Sequence, residues 1–183
     1  CRTTRLHKGT ASNFGRPSMS LIKTDAIQTL AGKPIVNSTG SVLQVKQTAK
    51  TDTFSTTSNS FVDVTGLSVS ITPSASTSKI MVEFHIGAHT TSIAAEVRYK
   101  IVRGSTDIGL GDSGNGTQCT TGATTNATRG EGISMKFLDS PSTTSATTYK
   151  IQASVSGGAT LDINKRSSTY SAISTITVTE IAG

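Results

Sequence analysis

The stretch GLGDSGNG, Gly109 to Gly116, fits two chemical patterns at once. As G-x-G-x-x-G it would cradle a dinucleotide; as G-D-S-G it would carry the nucleophile of a serine protease. A dinucleotide cradle needs its glycines between a buried parallel strand and a helix N-terminus, whose free N–H groups meet the pyrophosphate. The residues that follow, TQCTTGATTNATRG, are glycines and β-branched threonines that make a poor helix. No βαβ unit flanks them, so no cofactor is expected. The protease reading assigns Ser113 as nucleophile, His89 in IGAHTTS as base and Asp107 as the orienting acid. His89 and Ser113 lie only 24 positions apart, whereas that fold sets its base and nucleophile on two separate barrels. A serine hydrolase is thus the remote alternative.

Metal chemistry is equally thin. Glu83, His85 and His89 share one face of a strand-like run, but His85 and His89 would be about 13 Å apart along a strand. A solvent-facing pair of histidines is expected, and no metal. Asp107, Asp112 and Asp139 read as turn residues whose carboxylates cap local N–H groups. Cys1 and Cys119 have no metal-ligand spacing and read as two unpaired thiols, a single bridge being the alternative. Asn37, Asn115 and Asn126 each begin an N-x-S/T triplet, a frequent coincidence in a Thr-rich chain. No catalytic group is assigned, and the chain is read as a non-enzyme.

The elements that must position these residues are strands. Charged residues are 15% of the 183 and aromatics 4%, while roughly a third is Ser or Thr, well above ordinary usage. Apolar residues nevertheless alternate with polar ones in run after run. In KIMVEFHIGAH, Ile80, Val82, Phe84, Ile86 and Ala88 share one face; in IAAEVRYKIVRG, Ala95, Val97, Tyr99 and Ile101 do. SVLQVKQTAK, FVDV, LSVSI, GISMKFLD, TYKIQASV, TLDI and AISTITVTEI follow suit, each bounded by turn residues. Eight or nine such strands without a long helix predict an all-β fold, an antiparallel β-sandwich of jelly-roll-like type over residues 41–183.

Residues 1–40 form an N-terminal arm without a core pattern. SLIKTDAIQTLAGKP allows a short helix or an extended segment, and Leu21, Ile22, Ile27, Leu30, Ile35 and Val36 need a neighbouring surface to cover them. The arm is therefore the candidate attachment and oligomerisation element. Of the formal charge of +6, four units come from Arg2, Arg5, Lys8 and Arg16 in the first 18 residues, where no acid offsets them. Without interleaved aromatics they do not make a nucleic-acid site, and nucleic acid is not an expected partner. No run reaches the ~18 apolar residues of a membrane span, and the basic start lacks the apolar core of a secretory signal.

Between Arg103 and Gly132 the sequence offers no clear strand, only Gly, Thr, Ser and Asn. It reads as one long loop, with Asp112, Ser113, Asn115, Thr117, Asn126 and Arg129 as candidate receptor contacts.

The segment MSLIKTDAIQTLAGKPIVNSTGSVLQVKQTAKTDTFS, then DVTGLSVSITP, RGSTDIGLGDSGNG and FLDSPSTTSATTYKIQ, resembles small tail-fibre-like virion structural proteins of marine tailed phages, cyanophages included. The resemblance covers residues 19–183 and places a natural start at Met19. It implies a non-enzymatic particle component of tail or capsid surface, a homotrimer, and contact with a host surface glycan or protein. Capsid decoration, as a cement protein or head fibre, is the alternative role.

Overall fold

The computed structural model describes residues 39–92, 95–125, 130–166 and 170–183. The arm up to residue 38, with its six apolar candidates, lies outside the described residues, as do Cys1, Asn126 and Arg129.

Strands follow one another along the chain: β1 (Val42–Lys50), β2 (Phe54–Thr56), β3 (Val62–Ile71), β4 (Lys79–Thr90), β5 (Ala95–Arg103), β6 (Thr106–Ile108), β7 (Thr121–Thr125), β8 (Glu131–Asp139), β9 (Thr147–Val155), β10 (Leu161–Ile163), β11 (Lys165–Arg166), β12 (Tyr170–Ser171) and β13 (Ser174–Ile181). The only helical element among the described residues is a 3-10 turn at Ser113–Asn115.

Three of these pieces are continuations. β6 and β7 both pair with β5, at Ile101–Arg103 and Ala95–Tyr99, so they form one interrupted strand. β10 and β13 both pair with β4, at Ala88–Thr90 and Lys79–His85, and β2 and β1 follow alongside them. Each sheet therefore has four strand positions. One runs β1/β2, β13/β10, β4, β8; the other β3, β9, β5, β6/β7. All pairings are antiparallel, and they nest: first position with last, β3 with β9, β4 with β8, β5 with β6/β7. The chain is one long hairpin rolled into a sandwich, which is jelly-roll topology.

The core follows the period-two pattern. Ile80, Val82, Phe84 and Ile86 of β4 meet Val97, Tyr99 and Ile101 of β5 and Tyr149 and Ile151 of β9, all buried. The Phe84 and Tyr99 rings lie 6.3 Å apart. FVDV and LSVSI, expected as two strands, are one: β3 bulges between Asp63 and Ser68, where Gly66 takes φ +83°. A glycine allows that left-handed turn without steric cost, so β3 bends and continues.

Two buried polar side chains are held by hydrogen bonds. Asn164, φ +61°, fills the gap between β10 and β13. Its Nδ2 donates to the carbonyls of Lys50 (2.7 Å) and Asp52 (3.1 Å), and its Oδ1 accepts from Ser174 (2.6 Å). Glu180, buried in β13, accepts from Gln44 Nε2 and from the N–H and hydroxyl of Ser74, each at 2.6 Å. Burial works against its charge, but these donors, with Ser78, outweigh it and hold the pKa down at about 2.

Candidate functional site

The stretch expected as a single loop from Arg103 to Gly132 is not one. β6 and β7 run through it as the edge of the second sheet, and the excursion between them is residues 109–120. It leaves from the flank of the sandwich, not from either end. Its start is fixed by Gly109, whose φ is +62° and where an added Cβ would meet the Phe137 ring at 2.9 Å. Phe137 belongs to β8, the edge of the other sheet, so this contact closes the side where the two edges face each other.

The excursion is pinned at its base. Gly111 N–H donates to the Cys119 carbonyl (3.2 Å), and Gln118 Nε2 donates to the Gly111 carbonyl (2.8 Å). Thr120 N–H donates to the Tyr99 carbonyl (2.8 Å); its hydroxyl donates to the Ile108 carbonyl (3.2 Å) and accepts from Ile101 N–H (3.0 Å). The tip carries Asp112, Ser113 and Thr117, all exposed, and the backbone of Asn115. Asp112 caps the 3-10 turn by accepting from Gly114 N–H (3.3 Å), the turn role expected of it.

The two other aspartates differ from expectation. Asp107 is a strand residue of β6 whose carboxylate accepts from Lys100 Nζ at 2.6 Å. Asp139 ends β8 and is buried, because the Arg103 guanidinium (2.8 and 3.0 Å) and the Tyr149 hydroxyl (2.7 Å) reach it from the other sheet. Burial and this bond to Asp139 push the Tyr149 hydroxyl far above its ordinary pKa.

The protease constellation does not assemble. His89 stands on β4 in one sheet, Asp107 is spent on Lys100 in the other, and Ser113 sits at the exposed tip. The expected solvent-facing histidine pair is half right. His85 is exposed, with Nδ1 2.9 Å from the Ser134 hydroxyl. His89 is buried, near where β11 lies along β4 and Ala172 lies against Gly87. Among the described residues no three His, Cys, Asp or Glu side chains cluster to hold a metal. Cys119 is a free, half-buried thiol.

The fold adds a feature that strand patterns do not show: charged side chains meet across the strands on both outer faces, as Lys136 and Glu83 do on the first sheet at 3.2 Å. The outer face of the second sheet is laced with charge. Lys150 and Gln152 both donate to Asp63 (2.7 Å each), and Lys100 lies 4.3 Å above the Phe61 ring. Arg98 donates to Asn59 at 2.7 Å and borders a shallow depression of about 260 Å³ that Gly122 also lines. The Lys150 and Gln152 donors hold the Asp63 carboxyl below the usual range. Alternation predicts that such residues face out, but only the register, Lys100 opposite Gln152 and Gln152 opposite Asp63, shows that they meet. Of the six candidate contacts, Asp112, Ser113 and Thr117 share the flank tip; Asn126 and Arg129 lie outside the described residues.

No family model matches this chain. No curated protein matches it either. Solved structures similar to it include structures of infectious bursal disease virus. The Gx strain structure is 16% identical over 78% of this chain, with a TM-score of 0.38. The 2.6 Å structure of the T=1 particles derived from that virus is 14% identical over 75%, with a TM-score of 0.41. The chain spans 39% of the length of each. Superposition at that level transfers no role.

Proposed function

We propose that this chain is a non-enzymatic structural protein of a virion, tail-fibre-like, with the sandwich exposed on the particle. The observation that carries this reading is the fate of the GDSG segment. Its carboxylate caps its own turn, its nearest acid is neutralised by Lys100, and its tip offers hydroxyl and amide groups on a pinned base. Such a tip is suited to surface contact, where small polar groups supply adaptable hydrogen bonds. The resemblance of residues 19–183 to tail-fibre-like phage proteins points the same way.

In this reading the flank tip contacts a host glycan or protein, and the chain works as a homotrimer. Immunogold labelling of intact particles with an antibody against residues 41–183 tests it. Gold at the tail is the expected result. Gold spread over the head replaces tail attachment with capsid decoration. No gold on any particle overturns the virion assignment. Turnover of an ester or peptide panel that is lost in Ser113→Ala would restore the hydrolase.

A further inference from the structure

Asn115 is followed by Gly116, the one Asn–Gly pair in the chain. Asparagine is thermolabile, because the backbone nitrogen of the next residue can attack its side-chain amide. A side chain on that next residue slows the attack, and so does any bond that holds the amide or the nitrogen. At the flank tip the first obstacle is missing for a reason of backbone geometry. Gly116 leaves the 3-10 turn at φ +101° and ψ −150°. That conformation is essentially closed to residues with a Cβ, so the turn requires glycine there. No described atom lies within 4 Å of where a Cβ would stand.

The surroundings favour the reaction too. Asp112, Ser113, Gly114, Gly116 and Thr117 are all exposed, so water reaches the tip. The helical piece is only Ser113–Asn115, and the poorly aligned hydrogen bonds of a 3-10 turn open at small cost. The bonds of Gly111, Gln118 and Thr120 hold the base while the tip moves. The other described asparagines are held. Asn59 Oδ1 accepts from Arg98 at 2.7 Å, and the nitrogen that would attack it, Ser60 N–H, donates to Ser58 Oγ at 3.1 Å. Asn164 is fully buried with both ends of its amide bonded.

We propose that Asn115 is a self-modification site, at which the tip acquires a carboxylate beside that of Asp112. The Gly116 nitrogen gives its proton to hydroxide and bonds to the Asn115 amide carbon. The bond from that carbon to its NH2 group breaks, ammonia leaves, and a cyclic imide remains. Water then adds to either imide carbonyl and reopens the ring as aspartate or as isoaspartate, whose main chain runs through the former side chain. Only water is consumed. The added charge falls on the tip to which the proposed function gives surface contact, but the chemistry rests on the turn and not on that reading.

The full native chain, incubated in mildly alkaline buffer made with heavy-oxygen water and then digested in ordinary water, tests the proposal. Trypsin releases residues 104–129, and fragment masses locate any heavy oxygen within them. Label is expected at residue 115 and not at Asn59 or Asn164, and an isoaspartate methyltransferase should methylate most of the product. The native rate should lie within about tenfold of the rate in urea, as for a turn that opens at small cost. A native rate below that range overturns the proposal, because the turn then holds residue 115. Label at residue 126 without label at 115 also overturns it. Asn115→Gln keeps an amide but needs a larger ring, and should stay unlabelled; label at 115 in that variant would refute the imide route. The readout is blind to where the protein sits on a particle, so its failure and that of the virion reading are separate results.

Discussion

Asp139 is 6% exposed and accepts from Arg103 and from Tyr149, joining the two sheets at one end of the core. Asp139→Ala would strand a guanidinium and a buried hydroxyl. A loss of about 3 kcal/mol in urea unfolding is expected, as for other broken buried pairs. Tyr149→Phe removes only one bond to a charged acceptor and should cost about half that. Equal costs for the two would mean that the Arg103 contact contributes nothing. Glu180 sets the acid limb of stability. Its folded pKa, about 2, lies below the unfolded value near 4.5. Its contribution is therefore present above pH 4.5 and lost as pH falls toward 2. Asp63 is shifted in the same direction by Lys150 and Gln152. Glu180→Gln should flatten the dependence of unfolding free energy on pH across that window, at a stability cost at neutral pH. A slope unchanged in the variant would assign the acid limb to other carboxylates.

At the scale of elements, β4 and β5 were legible because both bury alternate side chains along nine or more residues. β6 and β7 were not. TDI is too short to show a period, and TGATT replaces apolar residues with Gly and Thr. They are strands because β5 offers them a ladder, with partners three to seven positions away in the chain for β6 and 22 to 30 for β7. The burial of His89 was hidden too: alternation puts it outside, yet it is buried at the end of β4. Of the candidate site, the exposure of Asp112, Ser113 and Thr117 was readable from turn chemistry, but its position on the flank was not, since that depends on Phe137. Gly109→Ala tests that position. It forces a left-handed backbone on a β-branchless but chiral residue and drives a methyl into the Phe137 ring. We expect a loss of at least about 2 kcal/mol. Gly104→Ala, at φ +59° and with open space around it, should cost about 1 kcal/mol. If Gly109→Ala proves no worse than Gly104→Ala, the excursion does not lean on β8.

For the whole molecule, the nested pairing makes folding a long-range problem. β1 finds its partner in β13, and Lys50 pairs with Ser174. Every pairing but the innermost needs a large loop closed first, so refolding is expected on a scale of milliseconds to seconds. Stopped-flow refolding in microseconds would contradict the topology. The same nesting fixes where the chain can be gripped. Gly40 N–H donates to the Ala182 carbonyl and Ala182 N–H to the Ser41 carbonyl, at 2.7 and 2.8 Å, so both ends of the sandwich leave from one corner. The ladder rungs between β1 and β13 lie across the strands. A force applied at Gly40 and Gly183 would therefore load those rungs one at a time, and the fold would peel open like a zipper under modest tension. Anchored by one end alone and pushed at its flank, the same domain would carry the load through all its rungs together.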